Sequence, residues 1–338
     1  MTEPLVSLRH VSKFFPMDKD LLGKTTSLLK AVDDLTLDIF PGETFGLVGE
    51  SGCGKTTVGK MLVDLYTPTA GEILYEGTHL TKLKPAERRR YSRQIQLIFQ
   101  DPYSSLNPRM TVGDIVSEPI RANKLLPPDK IDDRVGYLFN AVGLSANYRN
   151  RFPHEFSGGQ RQRVGIARAL AMEPKLIVCD EPVSALDVSI QAQVLNLLEE
   201  LCTEFGLTYL FIAHGLNVVK HVADRVGVMY LGRLVEVAPK RELYRNPLHP
   251  YTKALLSAIP VTNPALRKKR ILLEGDVSSP IDPAPGCRFA SRCYAKSTCT
   301  GCPCESEMPE LVEVSPGHFV SCYLHPGGVA QRANDPVR

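Results

Sequence analysis

A glycine-rich run that ends in a lysine and two threonines carries the clearest chemistry in this sequence. Residues 49–57 match the phosphate-loop pattern G-x-x-x-x-G-K-[ST] without a mismatch. The glycines allow a tight turn in which successive N–H groups face a bound anion. We expect Lys55 to reach the terminal phosphates and Thr56 to bind the accompanying Mg²⁺. The predicted nucleotide-binding residues of this loop are Gly49, Glu50, Ser51, Gly52, Cys53, Gly54, Lys55, Thr56 and Thr57.

The flanking residues predict that the loop joins a strand to a helix. Residues 44–48 form a short apolar run, and Val58, Met61, Leu62 and Leu65 recur at the helical spacing i, i+3, i+4, i+7. Phosphate binding requires this arrangement, because the N-terminus of the helix favours negative charge. The pattern predicts a site for a nucleoside triphosphate.

A pair of acids follows a second apolar run. Asp180 and Glu181 come directly after residues 175–179, which read as a strand of the same parallel sheet. Asp180 would support the Mg²⁺ ion, and Glu181 would orient or deprotonate the attacking water. Taken alone, the pair would be better explained as a solvated turn with acids that cap a helix.

Residues 156–163, Phe-Ser-Gly-Gly-Gln-Arg-Gln-Arg, favour the catalytic interpretation. Ser157 can cap a helix whose first turn exposes glycine N–H groups, which makes a second anion site. Here the sequence resembles the ABC ATPase family, whose signature this is. In that family two domains meet head to tail, and each signature completes the site of the other. The resemblance therefore implies nucleotide contacts from Ser157, Gly158, Gly159 and Gln160.

The same resemblance implies roles for residues elsewhere in the chain. Phe15 would stack on the adenine, although packing within a sheet is about as good an explanation for that residue alone. Gln100 would join Thr56 and Asp180 around Mg²⁺ and take part in catalysis. Asp187 would belong to a dimer-contact loop, and His214 would contact the γ-phosphate.

One residue departs from the family pattern. The family usually has an aspartate directly after the histidine at 214, and this chain has Gly215. Glycine is tolerated as a helix cap, so we expect the turn to survive. We expect that Gly215 alters the rate of ATP hydrolysis or the coupling of hydrolysis to movement.

The fold class implied by the resemblance is α/β, with a mostly parallel core sheet. Period-two alternation near residues 5–11 and 31–39 indicates an added antiparallel subdomain. A helical subdomain is expected at about residues 101–155, together with the signature. We predict a nucleotide-binding domain over residues 1–240 and an irregular, cysteine-rich extension over residues 241–338.

Two further segments indicate which branch of the ABC ATPase family the sequence resembles. Residues 100–108 and 246–256 resemble the ATPase subunits of oligopeptide, dipeptide and nickel importers. The insertion at residues 15–29 resembles the second of the two ATPase subunits in such systems, which favours a heterodimer over a homodimer. The implied partners are two membrane permease subunits, docking near residues 100–119, and indirectly an extracytoplasmic binding protein. The implied location is peripheral, on the cytoplasmic face of the cell membrane.

Six of the nine cysteines lie after residue 286. In a reducing compartment such clustering favours metal over disulfides. The importer resemblance implies a [4Fe-4S] cluster, while zinc would accept the same thiolates. Cys287, Cys293 and Cys322 are the implied ligands, and the third in sequence is Cys304 or, by its spacing, Cys299.

Charge and hydropathy give little support to nucleic acid binding or to a membrane-spanning protein. Forty basic and 37 acidic residues give a net charge of +3, too small a bias to indicate nucleic acid binding. The chain shows no signal sequence and no run of 18 apolar residues, so we expect a soluble protein. The basic run at 267–270 is read as a solvated turn.

Two alternative functions remain. One is a soluble ABC ATPase acting on nucleic acid or ribosomes, against which stand the single phosphate loop, the single signature and the lack of heptads. The other is a regulatory subunit that binds ATP without hydrolysing it, against which stand Glu181 and His214.

Overall fold

The computed structural model describes residues 3–17, 27–260, 270–299 and 301–325. Most of the insertion at 15–29 and most of the basic run at 267–270 therefore lie outside the described residues. Across the described ranges, no helix is long and apolar enough to cross a membrane.

The described residues form twelve strands and nine α-helices, numbered in chain order. The strands are β1 (Val6–Pro16), β2 (Leu28–Ile39), β3 (Thr44–Val48), β4 (Ala70–Tyr75), β5 (Thr78–His79), β6 (Ile95–Ile98), β7 (Leu176–Asp180), β8 (Thr208–Ala213), β9 (Arg225–Tyr230), β10 (Arg233–Pro239), β11 (Val312–Ser315) and β12 (His318–Val320). The helices are α1 (Lys55–Leu62), α2 (Pro85–Ser92), α3 (Val112–Ala122), α4 (Pro128–Ala141), α5 (Gly158–Leu170), α6 (Val188–Phe205), α7 (Leu216–Val222), α8 (Lys240–Arg245) and α9 (Pro250–Ser257).

The main sheet has the order β11-β12-β10-β9-β3-β8-β7-β6, and its five strands from β9 to β6 are parallel. Every residue of β3, β7 and β8 is buried. Continuous burial is expected where helices cover both faces of a parallel sheet. The carboxyl ends of these three strands meet at one edge, where the acids and the phosphate loop lie. The predicted parallel core is confirmed.

The second sheet is antiparallel, with the order β2-β1-β4-β5. Its long pair, β1 and β2, extends from Val6 opposite Ile39 to Pro16 opposite Leu28, with shifts of register between Leu8 and Phe14. Buried side chains of both strands pack with those of β3 and α1 in one apolar cluster. The antiparallel subdomain predicted from period-two alternation is present, and it brings Phe15 to the nucleotide side of the chain.

The helical region consists of α3, α4 and the start of α5. Helix α3 begins after Thr111, whose hydroxyl oxygen accepts a hydrogen bond from the N–H of Asp114. Helix α5 begins after Ser157, which accepts from the N–H of Gln160 in a reciprocal capping box. The apolar sides of these helices pack together in the larger core cluster. This arrangement presents the signature at the first turn of α5.

Helix α1 is shorter than its sequence pattern predicts. It ends at Leu62, and Asp64 adopts a left-handed backbone with φ of 60°. Leu65 lies beyond this turn and is 57% exposed, so its predicted place on the buried face of the helix was wrong. The turn redirects the chain toward β4 before the next helical position is reached.

The C-terminal extension is less irregular than the sequence indicates, because β11 and β12 join the main sheet through β10. A buried carboxylate anchors this junction. Glu236 of β10 accepts hydrogen bonds from the N–H groups of Leu248 (2.7 Å) and His249 (2.9 Å), and lies 2.8 Å from Nε2 of His318. Three donors satisfy a carboxylate that would otherwise be costly to bury.

Candidate functional site

The phosphate loop lies between β3 and α1, as its pattern predicts. Gly54 has a φ of 104°, and a Cβ there would lie 2.0 Å from the carbonyl oxygen of Ala31. A Cβ at Gly49 would lie 2.1 Å from the carbonyl oxygen of Met229. These close approaches explain why the loop requires glycine at both positions.

Lys55 is 4% exposed and folds back across the loop. Its Nζ donates hydrogen bonds to the carbonyl oxygens of Gly49 (2.8 Å) and Glu50 (3.0 Å). The ammonium group is thus held at the mouth of the loop, where its charge favours an incoming phosphate.

A hydrogen bond joins the loop to the acidic pair. The Thr56 hydroxyl donates to Oδ1 of Asp180 at 2.9 Å, and Asp180 is 7% exposed. Burial raises the pKa of Asp180, and the Thr56 hydrogen bond partly offsets that rise. A buried carboxylate beside a hydroxyl is a suitable donor set for Mg²⁺, whose charge would stabilise the ionised carboxylate.

Glu181 brings the three predicted catalytic residues together. Its Oε2 accepts a hydrogen bond from Nε2 of Gln100 at 2.7 Å and lies 2.6 Å from Nε2 of His214. Its backbone is left-handed, with φ of 50°, a conformation that non-glycine residues adopt at a cost. The side chain is 5% exposed and is oriented by both neighbours.

An open cleft is lined by six of the nine phosphate-loop residues, by Phe15 and by the three predicted catalytic residues. Phe15 lines it from β1, packing edge-on against Tyr66 with ring centres 5.3 Å apart. The full lining is Phe15, Leu29, Ala31, Ser51, Gly52, Gly54, Lys55, Thr56, Thr57, Gln100, Glu181 and His214. Phe15 therefore lies at the cleft, with Nζ of Lys13 5.0 Å from its ring centre, and its stacking on adenine stays a prediction.

Three loop residues, Gly49, Glu50 and Cys53, do not line the cleft. Cys53 is 3% exposed, and Gly49 packs against the sulfur of Cys53 and against Met229. The carboxylate of Glu50 points to the C-terminal extension, where it meets Arg292.

The signature residues are not brought to the cleft by their own chain. A Cβ at Gly158 would lie 3.3 Å from Leu186, and one at Gly159 would lie 2.5 Å from Ile190. The signature thus packs against the segment that contains Asp187, the N-cap of α6. Ser157 and Gly158 are exposed. Any nucleotide contact from Ser157, Gly158, Gly159, Gln160 or Asp187 would need a second chain.

Gly215 forms the N-cap of α7 with an extended backbone, φ of −119° and ψ of 140°. Helix α7 begins directly after it, so the turn survives without the usual aspartate. A Cβ there would lie 2.3 Å from Oδ1 of Asn217, which would have to rotate away.

Five cysteines line one apolar pocket in the extension, beside His249 and Phe289. They are Cys287, Cys293, Cys299, Cys304 and Cys322. Burial raises the pKa of Cys287 to about 12, and the neighbouring Cys322, Cys304 and Cys293 add to the rise. Burial likewise raises the pKa of Cys322 to about 11. Together, these thiolates would need a compensating positive charge.

The structure corrects one expectation for the cysteines. Cys299 and Cys302 form a disulfide, whereas the clustering of cysteines in the sequence favoured metal over disulfides. These two cysteines are only three residues apart in sequence, and their Cα atoms lie 5.6 Å apart. The sulfur atoms of Cys299, Cys302 and Cys304 also lie within 4.8 Å of one another, a grouping that sequence reasoning did not single out.

Sequence reasoning also missed two residues that contact the loop from the extension. Tyr251 accepts a hydrogen bond from the N–H of Glu50, and Arg292 binds the Glu50 carboxylate. Tyr251 falls within the distinctive segment 246–256, which was the available signal, but nothing local to either residue indicates its partner.

Comparison with family profiles gives two matches. Residues 32–184 match "ABC transporter", and residues 235–299 match "Oligopeptide/dipeptide transporter, C-terminal region".

Curated relatives match over nearly the whole chain. The oligopeptide transport ATP-binding protein AppF of Bacillus subtilis is 50% identical over 327 residues, covering 96% of this chain and 98% of AppF. The oligopeptide transport ATP-binding protein OppF of Escherichia coli is 54% identical over 297 residues, covering 87% of each chain.

A solved structure shares the nucleotide-binding part. It is the dimeric post-hydrolysis state of the ATP-binding cassette MJ0796 bound to ADP and Pi, with a TM-score of 0.62 and 28% identity. The match covers 70% of this chain and 99% of that one.

Proposed function

The chain belongs to the ABC transporter family, and from this premise we propose that it energises the import of peptides or a related small solute. It hydrolyses ATP, as the family and its cassette-like structure require. The observation that carries the catalytic proposal is the placement of Glu181 between Gln100 and His214, beside the phosphate loop. The peptide class is supported by relatives described as oligopeptide transport ATP-binding proteins.

The phosphate loop and the acidic residues Asp180 and Glu181 have separate roles in ATP hydrolysis. Lys55 and the N–H groups of the loop bind the phosphates, and Thr56, Asp180 and Gln100 would hold Mg²⁺. When bound, Mg²⁺ supplies positive charge to the phosphate oxygens. Glu181 accepts the proton of the attacking water, and its buried carboxylate is already oriented for that task.

His214 keeps that carboxylate in place and reaches the γ-phosphate. It is the more exposed partner of the pair, with 46% of its side chain accessible. It can therefore exchange its contact with Glu181 for one with the nucleotide without a change in the core.

A second ATPase chain completes the site. Support comes from the exposed Ser157 and Gly158, which lie away from the chain's own cleft. We propose a head-to-tail dimer in which the signature residues and Asp187 of one chain meet the nucleotide of the other. The partner is a different, homologous subunit, as the resemblance at residues 15–29 favours.

The other partners are two membrane permease subunits and, indirectly, an extracytoplasmic binding protein. Phe99 and Tyr103, 41% and 65% exposed, lie at the proposed docking region near residues 100–119. The chain would then sit peripherally on the cytoplasmic face of the membrane.

We retain the division into a domain at 1–240, with its helical subdomain at about 101–155, and an extension at 241–338.

We also propose that Cys287, Cys293, Cys304 and Cys322 hold a [4Fe-4S] cluster, with zinc as the alternative. All four line one pocket, where a bound cation or cluster would supply the positive charge that stabilises thiolates. The disulfide occupies Cys299, which favours Cys304 as the third ligand. The group would supply a structural crosslink to a segment with little regular structure.

The experiment for the transport role measures ATP hydrolysis by the assembled complex. We expect binding protein loaded with peptide to stimulate hydrolysis, and RNA or ribosomes to leave it unchanged. Stimulation by RNA or ribosomes alone would overturn the proposal in favour of a soluble ATPase. The relatives do not favour that alternative.

A further inference from the structure

The C-terminal extension contacts the phosphate loop from the side away from the nucleotide cleft. Nη1 of Arg292 lies 3.0 and 3.3 Å from the two carboxylate oxygens of Glu50, the second residue of the loop. The Arg292 side chain is 10% exposed and that of Glu50 is 28% exposed. This ion pair is therefore partly shielded from solvent, where charge interactions are stronger than at the open surface.

A second contact fixes the backbone of the same residue. The N–H of Glu50 donates a hydrogen bond to the Tyr251 hydroxyl at 3.0 Å. Tyr251 is fully buried against Tyr230 and Phe289, with ring centres 4.7 and 5.4 Å away. Arg292 also donates to the Tyr230 hydroxyl, so the rings and the guanidinium form one support beneath the loop.

The charge of Glu50 makes this support relevant to nucleotide binding. Its carbonyl oxygen binds Lys55, so Glu50 is directly linked to the group that meets the phosphates. A carboxylate in this loop would repel a triphosphate if it were uncompensated or free to turn toward the cleft. Arg292 neutralises the carboxylate and holds it on the far side.

We propose that Arg292 and Tyr251 are positioning residues of the nucleotide site, through which the C-terminal extension keeps the phosphate loop competent for ATP. Arg292 controls the charge and direction of the Glu50 side chain, and Tyr251 fixes its N–H. The proposal rests on ATP binding by the loop. It requires neither the cluster nor any particular transported solute.

The test measures the Kd of Mg-ATP for the full-length chain by calorimetry. We expect Arg292→Ala to weaken binding about tenfold, because it leaves the Glu50 charge unpaired. Arg292→Lys should recover part of the affinity. Adding Glu50→Gln to Arg292→Ala should also tighten binding relative to Arg292→Ala alone, since the repulsive charge is then gone.

The rescue by Glu50→Gln separates charge control from simple support of the fold. A purely structural Arg292 would leave the double variant as weak as Arg292→Ala. In steady-state hydrolysis by the assembled complex, Arg292→Ala should raise KM for ATP and leave kcat nearly unchanged.

Arg288→Ala is the matched control. Arg288 lies in the same extension and is 7% exposed, but it pairs with Asp33 of β2 at 2.5 Å. We expect its loss to lower thermal stability while the Kd for ATP stays within about twofold, because Arg233 still pairs with Asp33.

Tyr251→Phe keeps the ring and removes the hydroxyl that accepts from Glu50. It should weaken ATP binding about threefold and should not be rescued by Glu50→Gln, because the lost contact is to the backbone. This variant tests the proposal even if Arg292→Ala does not fold. Wild-type affinity in both Arg292→Ala and Tyr251→Phe, or failure of Glu50→Gln to improve Arg292→Ala, would overturn it.

Discussion

Glu181 adopts a left-handed backbone at the end of β7, and that conformation turns its carboxylate between Gln100 and His214. The sequence identifies the acid, because it follows an apolar strand and lies 24 residues after the signature serine. It does not reveal the backbone conformation, which depends on the N–H of Glu181 bonding to Ile212 in β8. Contacts distant in sequence decide the orientation of this side chain.

At the residue scale, Glu181→Gln should lower ATP hydrolysis by at least about a hundredfold while ATP binding persists. The amide cannot accept the proton of the attacking water. The ATP-bound dimer should therefore accumulate, which size-exclusion chromatography of the assembled ATPase pair would detect. Glu199→Gln, an exposed acid on α6, is the control. Unimpaired turnover in Glu181→Gln would remove the role assigned to this residue.

Thr56→Val keeps the shape of the side chain and removes its hydroxyl. We expect the affinity for ATP with Mg²⁺ to fall about tenfold, because Mg²⁺ loses a ligand and Asp180 loses its hydrogen bond. Affinity measured in EDTA should change little. An equal loss with and without Mg²⁺ would argue that Thr56 supports only the loop.

At the scale of elements, a unit formed by neighbouring residues can be predicted from the sequence, whereas the pairing of distant segments cannot. The unit of β3, loop and α1 is visible in the sequence, because the glycine pattern, the apolar strand and the helical spacing agree. The pairing of β12 with β10 is not visible, because it joins residues more than 80 positions apart around the buried Glu236. The end of α1 was also missed, since the left-handed Asp64 overrides the spacing of Leu65.

The buried ion pair of Arg288 with Asp33 ties the extension to β2. We expect Arg288→Ala to destabilise the protein by about 3 kcal/mol, because it leaves a half-compensated buried carboxylate. Urea unfolding of the full chain measures this change. Lys296→Ala removes an exposed ion pair with Glu305 and should not measurably alter stability. Equal effects of the two substitutions would contradict the docking role of Arg288.

At the scale of the whole molecule, the cysteine pocket predicts a bound metal group. Anaerobic purification with iron, sulfide and zinc quantification should give about four irons and four sulfides per chain. The group should persist in Cys299→Ser and be lost in Cys304→Ser. Stoichiometric zinc without sulfide would replace the cluster by a zinc site. Loss in Cys299→Ser alone would reverse the choice of the third ligand.

At this scale too, some features can be predicted from the sequence and others appear only in the structure. The sequence contains both halves of the ATP site, the phosphate loop and the signature, and it predicts that they come from two chains. It does not indicate that the extension reaches the loop, because Arg292 and Glu50 are 242 residues apart. Only the folded chain brings the extension under the nucleotide site.

The most direct test of the transport function is ATP-dependent peptide uptake into proteoliposomes that contain the complete complex. We expect labelled peptide to accumulate with ATP and the binding protein, and accumulation to stop when this chain carries Glu181→Gln. Undiminished peptide accumulation with Glu181→Gln, or hydrolysis without any peptide movement, would contradict the conclusion that this chain drives peptide import.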